Sequence, residues 1–193
     1  MATEGFTLTR EQFLSSFGQR NDSIVAGWLG PAVTAERIDR IATAKEELYR
    51  DLIRKEGISP LPGVAYWVHR LHEQGWVQAV ASSAPRLNVE LILQSLGTAH
   101  CFQAVVSGED VERGKPDPEV YLTAASRLGA PPSKCVVVED AFAGVEGARS
   151  AGMHCIAVSR SGRHLPADVV VRSLDLLDAG VFDSLVADFP RGA

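Results

Sequence analysis

Residues 135–153, CVVVEDAFAGVEGARSAGM, decide how this chain folds. Cys135, Val136, Val137 and Val138 form an unbroken apolar run rich in β-branched side chains, which favour the pleated conformation. A run without polar alternation reads as a strand covered on both faces, as in a parallel sheet wrapped by helices. Glu139 and Asp140 follow it directly, and a helical pattern takes over at about 145–150. Two adjacent carboxylates at the end of a buried strand are costly unless they are paired or bound to a cation. Oxygen ligands of this type suit Mg²⁺. An Asp140 that only caps the next helix is the simpler reading, but it leaves Glu139 unexplained.

The same alternation of short apolar strand and helix extends in both directions. Strands are expected at 77–81 (VQAVA), 104–107 (AVVS), 155–158 (CIAV) and 169–171, with helices at 64–73, 87–95 and 119–128. This is the pattern of a parallel α/β sheet. Ligands of such sheets bind beyond the carboxyl ends of the strands, so the residues just after each strand carry the chemistry. After VQAVA stand Ser82 and Ser83, then Ala84, Pro85 and Arg86. They offer hydroxyl groups and free backbone N–H groups to an anion, although a serine at a helix start is as readily a cap. After AVVS and the loop GEDVERG comes Lys115, followed by Pro116, Asp117 and Pro118. The prolines stiffen this loop and Asp117 suits an N-cap. Lys115 is thereby positioned to neutralise a phosphate or a carboxylate, the alternative being a surface lysine beside a capped helix. Hydroxyl, lysine and acid pair at successive strand ends together describe a site for a phosphate and a divalent metal.

Upstream, residues 8–57 read as helical throughout: Phe13, Leu14 and Phe17, then Ile24, Val25 and Trp28, then Ile38 and Ile41, then Leu48, Leu52 and Ile53 recur at helical spacing. Pro60 and Pro62, with Ser59, Leu61 and Gly63, stop the helix and mark a boundary. The expected organisation is a helical unit over 1–60 and an α/β unit over 61–193, with the terminal DFPRGA as a frayed tail.

Composition narrows the partners. With 46% hydrophobic and 22% charged residues the chain suits a folded globular protein. A formal net charge of −5 and the lack of any Lys/Arg run argue against nucleic acid. A small molecule is the expected partner. The opening MATEGFTLTREQF is too polar for a signal peptide, and no apolar segment approaches a membrane span, so the expected location is cytoplasmic. Cys101, Cys135 and Cys155 lack CxxC spacing and read as structural thiols. His69 and His72 share a helical face, but with no third ligand nearby in sequence they read as a solvated face rather than a metal site. No GxGxxG follows any strand, which weighs against a dinucleotide-binding redox enzyme.

ASSAPR (81–86), GKPDP (114–118) and VVVEDAFAGVEGARSAGM (136–153) resemble motifs II, III and IV of the haloacid dehalogenase superfamily, in the expected order. The helical N-terminal third is similar to the cap domain of its β-phosphoglucomutase-like and phosphoglycolate-phosphatase-like members. The resemblance implies a Rossmann-like parallel sheet core with an α-helical cap, and Mg²⁺-dependent phosphatase chemistry on small phosphorylated metabolites such as sugar phosphates. By that resemblance Ser82 binds the transferring phosphoryl group with Ser83 beside it, Lys115 neutralises it, and Glu139 with Asp140 holds Mg²⁺. Arg20, in GQRNDS, and Lys45, in KEELYRDLI, are the cap's candidates for the rest of the substrate.

The family nucleophile is an aspartate of a DxD motif that ends a first strand, central in the sheet between the strands read here as VQAVA and CVVV. No DxD of that kind occurs in the sequence: Asp22, Asp51, Asp175, Asp178 and Asp183 all lie in the wrong context. Either that strand lies upstream of Met1, or the two strands close directly on each other; the first is expected, together with no turnover by the 193-residue chain. A phosphomutase of the β-phosphoglucomutase type and a non-catalytic protein that binds a phosphate compound or a protein partner are the alternative functions.

Overall fold

The computed structural model describes residues 7–16 and 18–187. Phe17 and the tail DFPRGA lie outside the described residues, as do the side chains of Phe13 and Leu14.

Three helices open the chain: α1 (Arg10–Ser15), α2 (Asn21–Leu29) and α3 (Ala35–Glu56). α3 is capped by Thr34, whose hydroxyl accepts from the Arg37 N–H at 3.3 Å. Arg54 and Lys55 sit in its last turn, where cations complement the helix dipole. Its buried stripe of Ile41, Glu46 and Ile53 includes one charge. α4 (Val64–Glu73) matches the expected bounds and begins after Gly63, whose φ is 82°. A Cβ at Gly63 would also collide with the backbone of Leu174 and Asp175, so glycine is required here on two counts.

The strands are β1 (Ala79–Ala81), β2 (Ala104–Val106), β3 (Val136–Glu139), β4 (His154–Val158) and β5 (Val169–Val171). α5 (Arg86–Ser95), α6 (Glu119–Leu128), α7 (Phe142–Ser150) and α8 (Val181–Ala187) lie among and after them. β1 is shorter than VQAVA because Val77 is left exposed. α7 starts three residues earlier than the sequence pattern implies, because Ala141 is extended and its carbonyl accepts from Val145. All pairings are parallel: β1 with β2, and β3 with β4 with β5.

Side chains alternate across β4. Cys155 and Ala157 enter one apolar cluster with Val120, Tyr121, Val145 and Ala148 of α6 and α7, while Ile156 enters another with Trp67, Leu71, Leu174 and Phe182. Each fully buried aliphatic side chain of this kind contributes about 1.5–3 kcal/mol. β4 is thus covered on both faces as expected, whereas Val138 of β3 and Val170 of β5 are exposed. Among the described residues β1 pairs with β2 alone and β3 with β4 alone. The arrangement in which VQAVA and CVVV close directly on each other does not occur. Each presents one unpaired edge, yet Ala79 and Ala81 of β1 and Val137 of β3 pack on the same apolar cluster. No described helix is long and apolar enough to cross a membrane.

Candidate active site

Ser82 follows β1 and continues its ladder, donating its N–H to Val106 O at 2.9 Å. Its Oγ accepts from the Ala84 N–H at 3.1 Å, so it closes a local turn and does not cap α5, whose N-cap is Pro85. That bond uses the oxygen as acceptor and leaves the Ser82 O–H as a donor. Ser83 is committed differently: its hydroxyl donates to Gly18 O at 2.8 Å and ties the N-terminal segment to the strand end.

Lys115 is 8% exposed, so the reading as a surface lysine fails. The peptide bond to Pro116 is cis. Asp117 Oδ1 accepts from Glu119 N at 3.0 Å, but the N-cap of α6 is Pro118 and not Asp117 as the residue type suggested. The Lys115 ammonium donates to Ala81 O at 3.2 Å and to Glu139 Oε1, and thereby links the carboxyl ends of β1 and β3. It also stands 5.0 Å from the centroid of the Tyr121 ring. Two of its three N–H donors are engaged in these contacts and the third remains for a ligand.

Glu139 is fully committed. Its Oε1 accepts from Lys115 and from the Tyr121 hydroxyl at 2.8 Å, and its Oε2 accepts from the N–H groups of Asp140 and Ala141 at 3.1 and 3.3 Å. Burial opposes its ionisation, but Lys115 and these hydrogen bonds outweigh that and hold its pKa below the ordinary glutamate value. α7 comes so close that a Cβ at Gly144 would overlap the Glu139 carboxyl. Burial raises the pKa of Tyr121, and the Glu139 charge raises it further, so this phenol is a donor at any ordinary pH. Burial and the same charge push the Cys155 thiol to about 12, which agrees with a structural thiol.

Asp140 contrasts with its neighbour. It is exposed, makes no ion pair among the described residues, and does not cap α7. Partial desolvation of its carboxyl, then the Glu139 charge, push its pKa above the ordinary aspartate value. The donor set therefore fits a hard divalent cation through Asp140. Glu139 could join only by giving up bonds it already makes, since four accepted hydrogen bonds fill a carboxylate. Both acids line a cleft of about 490 Å³ with Arg160, Arg172 and Pro62.

Neither of the two N-terminal candidates hydrogen-bonds or pairs with Lys115, Glu139 or Asp140. Arg20 Nη1 donates to the carbonyls of Gly108 and Val111, both at 2.6 Å, and its Nε lies 3.4 Å from Asp22. Its aliphatic stem lies on Gly114, where a Cβ would come within 2.8 Å. Arg20 thus braces the loop that leads to Lys115, and it lines a second cleft of about 400 Å³ with Asn21, Ser83, Gly108 and Glu109. Lys45 pairs with Glu46, which also accepts from Asn21 and Asn88, while Asn88 accepts from Arg50 at 2.8 Å. This polar cluster joins α2, α3 and α5.

Sequence reasoning missed Tyr121, whose helical spacing looks like core, and Asp110. The Asp110 carboxylate binds the hydroxyl and N–H of Ser107 and pairs with Arg86 and Arg127 at 2.6 and 2.7 Å. Burial is opposed and outweighed by these bonds, so its pKa lies far below the ordinary aspartate value. The SGED spacing of a capping box, serine with an acid three residues on, was the available signal.

A family model described as haloacid dehalogenase-like hydrolase matches residues 6–152. Among similar proteins, a haloacid dehalogenase-like hydrolase domain-containing protein of Arabidopsis thaliana is 37% identical over 125 residues, 63% of this chain and 40% of that protein. β-Phosphoglucomutase of Bacillus subtilis is 32% identical over 168 residues, 86% of this chain and 70% of the enzyme. The crystal structure of CbbY from Rhodobacter sphaeroides in complex with phosphate superposes with a TM-score of 0.79 at 26% identity, covering 91% of this chain and 84% of that one. The chain thus spans well under half of one relative and more than two thirds of the other two. The matched span carries Ser82, Lys115, Glu139 and Asp140 together, on a fold shared over nine tenths of the chain: this protein belongs to the haloacid dehalogenase-like hydrolases.

Proposed function

We propose that the chain binds the phosphoryl group of a small phosphorylated metabolite at the carboxyl ends of β1, β2 and β3, as part of a Mg²⁺-dependent phosphatase site. The buried Lys115 ammonium carries this reading, because it spans the ends of β1 and β3 with one donor to spare. The Ser82 O–H donates to a phosphoryl oxygen and Lys115 neutralises its charge. Glu139 orients Lys115 and is itself fixed by Tyr121 and Gly144. Asp140 holds Mg²⁺, which supplies further neutralisation of the phosphoryl charge. Residues 1–60 serve as a helical cap on the core of residues 61–193, with Arg20 and Ser83 at the seam; Lys45 acts through Glu46. Phosphate in the similar CbbY structure supports the ligand class.

A second reading, binding without turnover by the 193-residue chain, rests on its aspartates. Asp22 pairs with Arg20, Asp51 with Arg54, Asp110 with Arg86 and Arg127, and Asp117 with Arg113 and the Glu119 N–H. Each of these four already has a partner, and none stands beside Lys115 in its hydrogen bonds or ion pairs. Assay of phosphate release from a phosphate monoester with Mg²⁺ decides between the two: the second reading expects none, and turnover that Lys115→Ala abolishes would overturn it.

A further inference from the structure

At the other end of β1 and β2, the fold assembles a constellation that the sequence spacing does not reveal. His69 on α4, and His100 and Cys101 in the 3-10 turn after α5, bring Nδ1, Nε2 and Sγ within 4.8 Å of one another. We propose that His69, His100 and Cys101 bind a divalent transition-metal ion of the zinc type, remote from Ser82 and Lys115.

Three observations carry this. The first is distance. A tetrahedral zinc site with bonds of about 2.3 Å to sulfur and about 2.0–2.1 Å to nitrogen has S···N edges of about 3.5 Å. Cys101 Sγ stands 3.5 Å from His100 Nε2 and 3.7 Å from His69 Nδ1. The second is pre-organisation. Cys101 is wholly buried, and its N–H is held by Thr98 O at 3.0 Å. The Gln78 amide donates to Cys101 O and to Val68 O, which stitches the turn to α4 beside His69. The third is access. His100 is exposed, so the cluster opens to solvent on one side, and the His72 ring lies edge-on to it with centroids 5.7 Å apart. His69, His100 and Cys101 supply three ligand atoms, and water from the open side would complete four-coordination.

Thiolate with imidazole selects zinc over the hard Mg²⁺ proposed at Asp140. On binding, the Cys101 thiol gives its proton to water as the sulfur–metal bond forms. Gln78 and Gln103 mark this as the amino-terminal end of β1 and β2, so the ion would staple α4 to the connection between α5 and β2 and add stability without entering the phosphate chemistry.

Titration of the metal-free 193-residue chain with Co²⁺, followed by displacement with Zn²⁺, tests this. One equivalent with a thiolate-to-cobalt charge-transfer band is expected, along with a rise in Tm on adding Zn²⁺. Cys101→Ser removes the band, His69→Ala and the exposed His100→Ala weaken binding by about tenfold or more, and Asp140→Asn leaves it unchanged. A saturated cobalt spectrum without the thiolate band, or a thiolate band that survives Cys101→Ser, would overturn the proposal.

Discussion

The Lys115 ammonium lies against the Glu139 carboxylate with only 6% and 9% of the two side chains exposed. Removing one partner of such a pair leaves the other charge buried and uncompensated, at a cost of about 3–5 kcal/mol. Lys115→Met should therefore lower the unfolding free energy by an amount in that range, and Lys115→Met combined with Glu139→Gln should recover most of it. Urea denaturation of the two variants checks this.

The pH dependence follows from the same carboxylate. The pKa of Glu139 is depressed in the folded state, so its contribution is fully present above the ordinary glutamate value and is lost as the pH falls through the folded value. Acid unfolding of Glu139→Gln should lack that part of the pH slope, as read from denaturation midpoints across the acid range.

Asp140 should behave oppositely. Its raised pKa means that folding disfavours its charge, so the penalty is fully present above the folded value and disappears as the pH falls below the ordinary aspartate value. Asp140→Asn should raise Tm slightly in metal-free buffer near neutrality and should remove the Tm increase caused by Mg²⁺. Thermal melts with and without the ion provide the comparison.

Gly144→Ala places a methyl group where the Glu139 carboxyl already sits. That carboxyl is held by four hydrogen bonds, so it can give way only by breaking some of them. Overpacking of this sort costs about 1–3 kcal/mol, and here it should also weaken phosphate binding, because Lys115 loses its orienting partner. A stability loss with unchanged phosphate affinity would separate the two effects.

Much of this organisation was legible in the sequence where the governing rule is local. Val64–Glu73 and Glu119–Leu128 have the bounds their periodicity implies, and the carboxyl-end rule picked out Ser82, Lys115, Glu139 and Asp140. What the sequence hid is contact across long separations. Glu139 and Asp140 look equivalent side by side, yet one is saturated by Lys115 and Tyr121 and the other stands open. Arg20 looks like a ligand-binding arginine, and its Nη1 also holds carbonyls 88 and 91 residues away. His69 stands beside His100 and Cys101 only because folding brings residues 31 and 32 positions away to it.

Calorimetric titration of inorganic phosphate into the 193-residue chain in the presence of Mg²⁺ tests most directly whether Lys115 organises a phosphate site. Saturable binding that weakens by about tenfold or more in Lys115→Ala, and also weakens in Ser82→Ala, is the predicted result. Equal phosphate affinity in the wild-type and Lys115→Ala proteins would contradict it.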